Sequence, residues 1–430
     1  MGPEYVSGTA SWRPVLSGTT AQTALDTVDA LAESIASLSS GERDPSLAGG
    51  QAGLALLCAW QAAAGAGSPQ AGDLAWRCLD RAIDAVATIE MDNSLFHGFV
   101  GVGWAAHFVD RLLHSDGDDR NEAIDDALCR LLSRPDLWPA PHDLVEGVTG
   151  AGVYALERLP RPSAMECLHH VIDRLEESAR HDENGIYWWT PATELSPDSQ
   201  EDHPSGVADL GLAHGVVGAI SLLGALCGAG VERARTRPLL EGAVSWLRAQ
   251  AVATEAGPTF PIWVAPGFQP EPARSAWCYG DPGVAAALLV AARGAGEPQW
   301  EKEAVALACR AADRSAAETG VEDAGFCHGA AGLAHLYNRM YQATGESELG
   351  LAARDWLERT LELCHLALGN GSPAPERPEQ RDGQPWWGLG LLYGAAGIAL
   401  VLSAAATAVE PIWDRMFLVS ARHVSPLPRP

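Results

Sequence analysis

Apolar residues along this chain follow two alternating patterns, and both fit α-helices. In the first pattern, apolar residues recur every three or four positions among polar ones, as at Leu25, Val28, Leu31 and Ile35. This spacing predicts amphipathic helices that bury one face. In the second pattern nearly every residue is apolar or small, as in the segments LALLCAW and IALVLSAAATAV. Helices that are apolar all round are typical of an inner layer, so the two patterns predict outer and inner helices.

A Gly-x-x-Gly motif opens each apolar segment and occurs seven times. Its first glycines are Gly50, Gly98, Gly147, Gly215, Gly280, Gly329 and Gly394. Glycines three positions apart suit a tight turn in which a helix begins close to another backbone. Repeated outer and inner pairs bury both layers when they close into a ring. The sequence therefore predicts an all-α fold, a double-layered α/α toroid (barrel) of seven outer/inner helix pairs with GxxG turns.

The extent of the repeat bears on domain organisation. A length of 430 residues would by itself allow two or three domains. The repeat, however, runs from about residue 20 to about residue 410 without interruption. We therefore expect a single toroid domain over residues 1–430.

Three repeats contain an additional loop. Successive first glycines are separated by 48, 49, 68, 65, 49 and 65 residues, and the insertions lie near 182–209, 253–276 and 369–387. Each insertion leads into a GxxG turn, so we expect all three to surround one mouth of the barrel. Their aromatic residues are suited to gripping a peptide or, equally, to capping the barrel. These residues are Tyr187, Trp188, Trp189, Phe260, Trp263, Trp386 and Trp387.

Charge and hydropathy limit the classes of partner. The net charge is −26, and such a surface repels nucleic acid and anionic lipid, so no nucleic acid partner is expected. The acidic surface either attracts cationic peptides or only keeps the protein in solution. Residues 210–231 and 388–409 contain no charged side chain, but they are rich in Gly and Ala and recur as inner segments, which argues against membrane spans. The chain starts without a secretion signal, so a cytoplasmic location is expected.

Most of the nine cysteines are predicted to be reduced core thiols, because an odd number is scattered over a long chain expected in the cytoplasm. Seven lie in apolar helical patterns: Cys58, Cys78, Cys129, Cys167, Cys227, Cys309 and Cys364. The other two, Cys278 in WCYG and Cys327 in CHG, lie at GxxG turns. These two therefore need a separate interpretation.

Cys278, Cys327 and the adjacent His328 are candidate ligands of a metal ion. Two thiolates and one imidazole suit Zn²⁺, and three protein ligands leave a fourth position for water or substrate. Neighbouring residues on a regular helix point in different directions, so Cys327 and His328 can share an ion only at an irregular turn or a helix start. Spacing alone leaves ordinary core thiols as an alternative. The matching positions in two repeats favour the metal site.

With WCYG, CHG and seven GxxG turns, the sequence resembles the lanthionine cyclases of the lanthipeptide (lantibiotic) synthetase C family over about residues 20–410. The resemblance implies an α/α toroid with Zn²⁺ bound by Cys278, Cys327 and His328. It also implies that His214 in GLAHG and Asp143 in DLVEGVTG face the metal.

The resemblance further places Arg274 and Tyr279, on either side of the first zinc cysteine, in the site. Under this interpretation His214 is the candidate proton donor, and Arg274 balances enolate charge unless it only pairs with a surface carboxylate. Asp143 orients an imidazole, assists thiol deprotonation or simply caps a helix. Three other histidines lie near turns or mouth loops without a supporting pattern: His97, His142 and His203. Of these, His142 adjoins Asp143 and is an alternative base.

The implied activity is a zinc-dependent Michael-type addition. Cysteine thiols of a precursor peptide would add to dehydroalanine or dehydrobutyrine, giving lanthionine or methyllanthionine thioethers. The expected substrate partner is a dehydrated precursor peptide with leader and core. A separate dehydratase is also expected, because the length leaves no room for a fused one. A third expected partner is a membrane transporter complex at which the protein could dock peripherally.

Three alternatives remain at this point. One is a relative that adds glutathione to dehydroamino acids through the same zinc site. A second is a non-catalytic peptide-binding scaffold with zinc. A third is another α/α-barrel enzyme, but the paired carboxylates of a glycosidase or the acidic diphosphate motif of a terpene-type cyclase do not accompany these turns.

Overall fold

The computed structural model describes residues 12–38, 44–65, 69–113, 119–138, 142–369 and 388–420. Within these ranges, seven outer and seven inner helices alternate, as the repeat predicts. The outer helices are α1 (Gly18–Leu38), α3 (Ala71–Thr88), α5 (Glu122–Leu132), α7 (Pro162–Ser178), α10 (Arg233–Ala249), α12 (Pro298–Ala312) and α15 (Ser347–Gly369). The inner helices are α2 (Gln51–Ala64), α4 (Phe99–Leu112), α6 (Val148–Glu157), α9 (Val216–Ala229), α11 (Asp281–Ala295), α14 (Ala330–Thr344) and α16 (Ala395–Ala406). Short helices α8 (Pro197–Asp202) and α13 (Ala316–Thr319) lie in connections.

Burial separates the two layers as their sequence patterns require. Inner helix α9 buries 12 of its 14 residues, whereas outer helix α3 buries 5 of 18. An outer helix needs one apolar stripe, but an inner helix contacts protein on every side. The membrane interpretation of the uncharged stretches is not needed, because their helices, α9 and α16, belong to the inner layer. No helix among the described residues is long and apolar enough to cross a membrane.

Backbone hydrogen bonds between successive turns close the ring. The N–H of Leu391, in the last turn, donates to the carbonyl oxygen of Ala48, in the first turn, at 2.7 Å. Ala48 in turn donates to the carbonyl oxygen of Phe96 in the second turn at 2.8 Å. The first repeat therefore meets the last, and the predicted double-layered α/α toroid is confirmed.

The second glycine of the motif is required by close backbone approach inside each turn. A Cβ at Gly332 would lie 1.7 Å from the carbonyl oxygen of Phe326, and one at Gly101 would lie 2.0 Å from that of Leu95. Both distances are far below contact, so a side chain would force the turn open. The motif thus marks where each inner helix begins.

Six short strands lie in the two insertions that the structure describes. They are β1 (Arg180–Asp182), β2 (Gly185–Tyr187), β3 (Ala208–Asp209), β4 (Val252–Thr254), β5 (Gly257–Thr259) and β6 (Trp263–Val264). All pairs are antiparallel: β1 with β2, β4 with β5, and β3 with β6. The β3–β6 pair sets Asp209 opposite Trp263 and joins the two insertions. The third insertion, with Trp386 and Trp387, lies outside the described residues.

The aromatic residues of the two described insertions differ in burial. Trp188 and Phe260 are buried, and the Trp188 indole N–H donates to the Leu175 carbonyl oxygen at 3.0 Å. Tyr187 stacks on Trp246 of α10 with ring centroids 4.9 Å apart. These three side chains are packing residues. Tyr187, Trp189 and Trp263 remain partly exposed.

The expectation that all core cysteines are reduced is wrong for one pair. Cys129 of α5 and Cys167 of α7 form a disulfide, with their Cα atoms 5.0 Å apart. The two outer helices pack side by side, and this contact between distant segments has no signature in the spacing of the cysteines. Four of the remaining predicted core thiols are buried: Cys58, Cys78, Cys227 and Cys364. The fifth, Cys309, is half-buried.

Candidate metal centre

Cys278, Cys327 and His328 come together where two neighbouring turns meet. One candidate ligand atom from each side chain lies within 4.8 Å of the others, and the described part of the chain contains no second group of this kind. The N–H of Cys278 donates to the Cys327 carbonyl oxygen at 3.3 Å, which fixes the two turns against each other. Cys327 and His328 precede helix α14, so they lie at the irregular helix start that a shared ion requires.

An aspartate of the same turn lies behind the candidate histidine ligand. Oδ1 of Asp323 accepts the N–H of Gly325 at 2.8 Å, and Oδ2 lies 3.8 Å from Nε2 of His328. At this separation the carboxylate is an ion-pair neighbour of the imidazole and not its hydrogen-bond partner. The turn thus sets a carboxylate near the candidate histidine ligand within the six residues from Asp323 to His328.

The two thiols at this centre differ electrostatically from a core thiol. Burial raises the pKa of Cys58 to about 12, as expected for a thiol in apolar surroundings. The pKa of Cys278 is instead lowered, because the Cys327 thiol and His328 hydrogen-bond to its sulfur and outweigh burial. The Cys327 thiol, which donates that bond, has a raised pKa. Two buried sulfurs that share one proton beside an imidazole fit Zn²⁺, since the ion can replace the shared proton.

Asp143 and His214 form a hydrogen-bonded pair close to these thiols. Nδ1 of His214 lies 2.8 Å from Oδ2 of Asp143. Oδ1 of Asp143 accepts the N–H groups of Val145 and Glu146 at 2.6 and 2.8 Å. The carboxylate therefore caps the turn with one oxygen and orients the imidazole with the other. The helix-capping role considered for Asp143 is not observed, because the residue at the start of helix α6 is Gly147 and no side chain caps it.

The environment of His214 favours the imidazolium form. Burial lowers its pKa, but the hydrogen bond and charge of Asp143, with smaller contributions from Asp209 and Cys278, outweigh burial and raise the pKa to about 9. The side chain is 42% exposed, so it remains accessible from the mouth. A histidine that is protonated at neutral pH and still accessible can act as a proton donor.

Tyr279 and Arg274 lie on either side of the first candidate cysteine ligand, in different surroundings. The Tyr279 ring is half-buried with its centroid 6.4 Å from that of His214. Arg274 is exposed and forms no ion pair with a carboxylate of the described residues. Its positive charge helps to lower the pKa of Cys278. Among the described residues, the surface ion pair considered as an alternative for Arg274 is therefore not present.

His142, which the sequence offers as an alternative base, is placed elsewhere. Its ring is buried, its Nε2 lies 3.2 Å from the Thr190 hydroxyl, and burial lowers its pKa to about 4. It also stacks on Trp188 with centroids 6.5 Å apart. A buried, neutral imidazole with a hydroxyl partner is a packing residue, so the geometry favours His214.

Two residues near the centre were missed by sequence reasoning. Oδ2 of Asp209 accepts the Tyr279 hydroxyl proton at 2.9 Å, and the Tyr393 hydroxyl donates to the Cys327 sulfur. The Tyr393 ring centroid lies 5.4 Å from that of His328. A sequence signal for Tyr393 does exist. Six of the seven turns have a large polar or aromatic residue just before the first glycine: His97, Glu146, His214, Tyr279, His328 and Tyr393.

Comparison with known proteins agrees with the predicted family and fold. A family model described as lanthionine synthetase C-like protein matches residues 41–418. Among solved structures, nisin cyclase superposes with a TM-score of 0.75, covering 92% of this chain and 97% of the other. The sequence identity over that match is 16%, so this likeness concerns the fold.

Proposed function

This chain belongs to the lanthionine synthetase C-like family, and from that premise we propose that it is a zinc-dependent lanthionine/methyllanthionine cyclase. The observation that carries the proposal is the placement of His214, hydrogen-bonded to Asp143, on the turn beside a two-thiol, one-imidazole cluster. A thioether-forming cyclase needs a thiolate nucleophile and a proton donor within one cavity. The two groups of this chain meet both needs.

The residues that would hold Zn²⁺ are Cys278, Cys327 and His328. When bound, the ion stabilises a peptide cysteine as its thiolate at neutral pH, although a free cysteine has a pKa of about 8.5. Two protein thiolates already balance the charge of the ion, so a substrate sulfur in this site keeps its electron density.

His214 supplies the proton that completes the addition. The peptide sulfur forms a bond to the β-carbon of dehydroalanine or dehydrobutyrine, and the double-bond electrons move into an enolate. The His214 imidazolium then protonates the α-carbon, while Asp143 holds the ring and stabilises its charged form. The proton lost from the next peptide thiol restores the imidazolium, so protons balance over one cycle. The positive charge of Arg274 at the mouth favours the enolate.

The proposal extends to the partners and location expected from the sequence. The substrate is a dehydrated precursor peptide, and a separate dehydratase supplies it. The chain acts as one toroid domain in the cytoplasm, where it could associate with a membrane transporter complex. The net charge of −26 supports a cationic peptide partner over nucleic acid.

Ring formation on a dehydrated peptide tests the proposal. Each ring consumes one thiol without changing the peptide mass, so alkylation of the remaining thiols followed by mass spectrometry counts the rings. After incubation with the wild-type enzyme, the peptide should have fewer free thiols to alkylate. His214→Asn should slow this reaction or alter the configuration at the α-carbon, whereas His97→Asn, at the same position of another turn, should not.

Two other results would change the assignment. If His214→Asn forms the same rings at the same rate, His214 is not the proton donor. If added glutathione is incorporated into the peptide while internal thiols stay free, the chain is a glutathione-adding relative and not a cyclase.

A further inference from the structure

Four of the seven turns begin with an aspartate six residues before the first glycine. In each, Oδ1 accepts the N–H of the residue two positions later, at 2.6 to 2.9 Å. The four are Asp44, Asp92, Asp209 and Asp323. This local bond stabilises the turn, as aspartate side chains commonly do. The turn therefore accounts for one carboxylate oxygen of Asp209.

Asp209 differs from its exposed counterparts in burial, and its second oxygen accepts a hydrogen bond from a tyrosine hydroxyl. Asp44 and Asp92 are exposed, whereas Asp209 is 5% exposed. Strand pairing with Trp263 covers it, and Oδ2 accepts the Tyr279 hydroxyl at 2.9 Å. Burial raises the pKa of Asp209 to about 6, which shows that its charged form is held at a cost. Because the exposed counterparts form the same turn, the turn does not require that cost.

The bond to Asp209 determines which way the Tyr279 hydroxyl faces. A phenol has one proton, and here that proton points at a buried carboxylate. The remaining lone pairs of the Tyr279 oxygen can accept a hydrogen bond but cannot protonate anything. Nδ1 of His214 is hydrogen-bonded to Asp143, so Nε2 of the imidazolium is a hydrogen-bond donor, in contrast to the Tyr279 oxygen. The mouth therefore presents a hydrogen-bond acceptor and a proton donor on two rings whose centroids lie 6.4 Å apart.

We propose that Asp209 is a positioning residue that fixes the Tyr279 hydroxyl as an acceptor for a backbone amide N–H of the dehydrated peptide. This inference rests on the proposed cyclase function and names a subsite within it. A dehydroamino acid residue carries an amide N–H directly beside the α-carbon that receives the proton. Holding that N–H at Tyr279 turns one face of the α-carbon toward His214. Asp209 would thereby control the rate and the stereochemistry of protonation without touching the substrate.

Asp209→Asn reverses the polarity of Tyr279 with little change in shape. The N–H of Gly211 lies 2.6 Å from Oδ1 of Asp209, so an asparagine must turn its only oxygen toward Gly211. The asparagine amide group then donates to Tyr279, whose own proton is released toward the mouth. Asp92→Asn is the matched control, because it makes the same exchange in a turn outside the site.

Kinetics with a synthetic peptide that holds one dehydroalanine and one cysteine separate this role from a structural one. Asp209→Asn should lower kcat/KM by about ten- to a hundredfold and weaken stereochemical control, while Asp92→Asn retains both. In a Tyr279→Phe background, Asp209→Asn should cause no further loss. A further loss of the same size there would show that Asp209 acts by another route and would overturn the proposal.

A second readout needs no turnover. The ¹³Cζ resonance of Tyr279, assigned with Tyr279→Phe, should move in Asp209→Asn and stay in place in Asp92→Asn. An unchanged resonance in Asp209→Asn would mean that the bond is absent in solution. Wild type should also bind the peptide about tenfold more tightly than an analogue N-methylated at dehydroalanine, and Asp209→Asn should lose that preference. Equal binding by wild type overturns the subsite, whereas absent ring formation with intact binding discrimination overturns only the cyclase proposal.

Discussion

Oδ2 of Asp143 lies 2.8 Å from Nδ1 of His214, 71 residues later in the sequence. The two turns are joined by a backbone hydrogen bond from Leu144 N–H to the Ala213 carbonyl oxygen at 3.0 Å. The carboxylate is held on its other side by two N–H groups of its own turn. Ring closure by neighbouring turns thus places a fixed carboxylate against the proposed proton donor.

Asp143→Asn should shift the basic limb of the pH–rate profile to lower pH. The His214 pKa is raised to about 9, so the proton donor is present through neutral pH and is lost as pH rises through 9. Without the carboxylate charge, we expect the pKa to fall toward the ordinary 6.5 or below. Activity at pH 8 should then drop by about thirtyfold, with a smaller loss near pH 6.

Histidine NMR titration, with His214→Asn for assignment, checks the same shift without substrate. A basic limb at the same pH in Asp143→Asn and wild type would contradict the proposed role. The raised pKa of His214 also predicts how the stability of the fold depends on pH. Because the folded pKa lies above the unfolded one, the pair stabilises the fold fully below about pH 6.5, and this contribution is lost as pH rises through 9.

Removal of either candidate cysteine ligand should abolish zinc binding. Wild type should contain about one zinc per chain, because three ligand atoms of the type that zinc prefers are brought together once in the described residues. Cys278→Ala and Cys327→Ala should each lose it in elemental mass spectrometry. Cys364→Ala, which removes a buried thiol outside the candidate metal group, should retain it. Wild type that contains no zinc after careful purification would refute the metal assignment.

The repeat explains why much of the site could be predicted from sequence. Once seven turns are recognised, Cys278 and the Cys327–His328 pair fall at matching turns, whereas His214 and Tyr279 were predicted through the resemblance to the lanthionine cyclases. Apolar periodicity likewise distinguishes inner from outer helices. These features follow from local spacing, which a sequence displays directly.

Features that depend on pairing between irregular segments were not predictable. Asp209 appears in the sequence as another turn aspartate, and its burial follows from strand pairing with Trp263 in a different insertion. The Cys129–Cys167 disulfide depends on how two outer helices are rotated against each other. Trp188 and Phe260 turn inward because loop packing, and not composition, decides which aromatic residues remain exposed.

Asp209→Asn should stabilise the fold at alkaline pH relative to acidic pH. The raised folded pKa of about 6 means that ionised Asp209 destabilises the fold, and this cost develops as pH rises from about 4 through 6. A shift of roughly two pH units corresponds to about 3 kcal/mol, offset in part by the weaker bond to Tyr279. Thermal unfolding at pH 5 and pH 8 measures the effect.

The difference in Tm between Asp209→Asn and wild type should be more positive at pH 8 than at pH 5. Asp92→Asn controls for changes in the turn itself, since that aspartate is exposed. A Tm difference independent of pH would show that Asp209 is not ionised at a cost. The stabilised variant should at the same time be the slower enzyme.

Phe417 should affect metal affinity although it lies in the C-terminal 3₁₀ helix, Ile412–Phe417. Its ring stacks on Phe326 with centroids 4.0 Å apart and meets Trp277 edge-on at 5.1 Å. Its carbonyl oxygen accepts the Trp277 indole N–H at 3.0 Å. Trp277 and Phe326 immediately precede the two candidate cysteine ligands, so we expect this packing to set the spacing between the two sulfurs.

Phe417→Leu should therefore weaken zinc binding by about tenfold in competition with a chelator, and cobalt-substituted protein should show an altered thiolate-to-metal absorption band. Loss of the ring also destabilises the fold by about 1 to 3 kcal/mol. Phe108→Leu is the matched control, because Phe108 is similarly buried and stacks on Trp104 at 5.2 Å. If Phe417→Leu and Phe108→Leu lose the same amount of Tm and bind zinc equally well, Phe417 has no role beyond ordinary core packing. A selective loss in Phe417→Leu would show that the segment Ile412–Phe417, packed against Trp277 and Phe326, holds the two cysteine turns at the distance that a bound zinc ion would require.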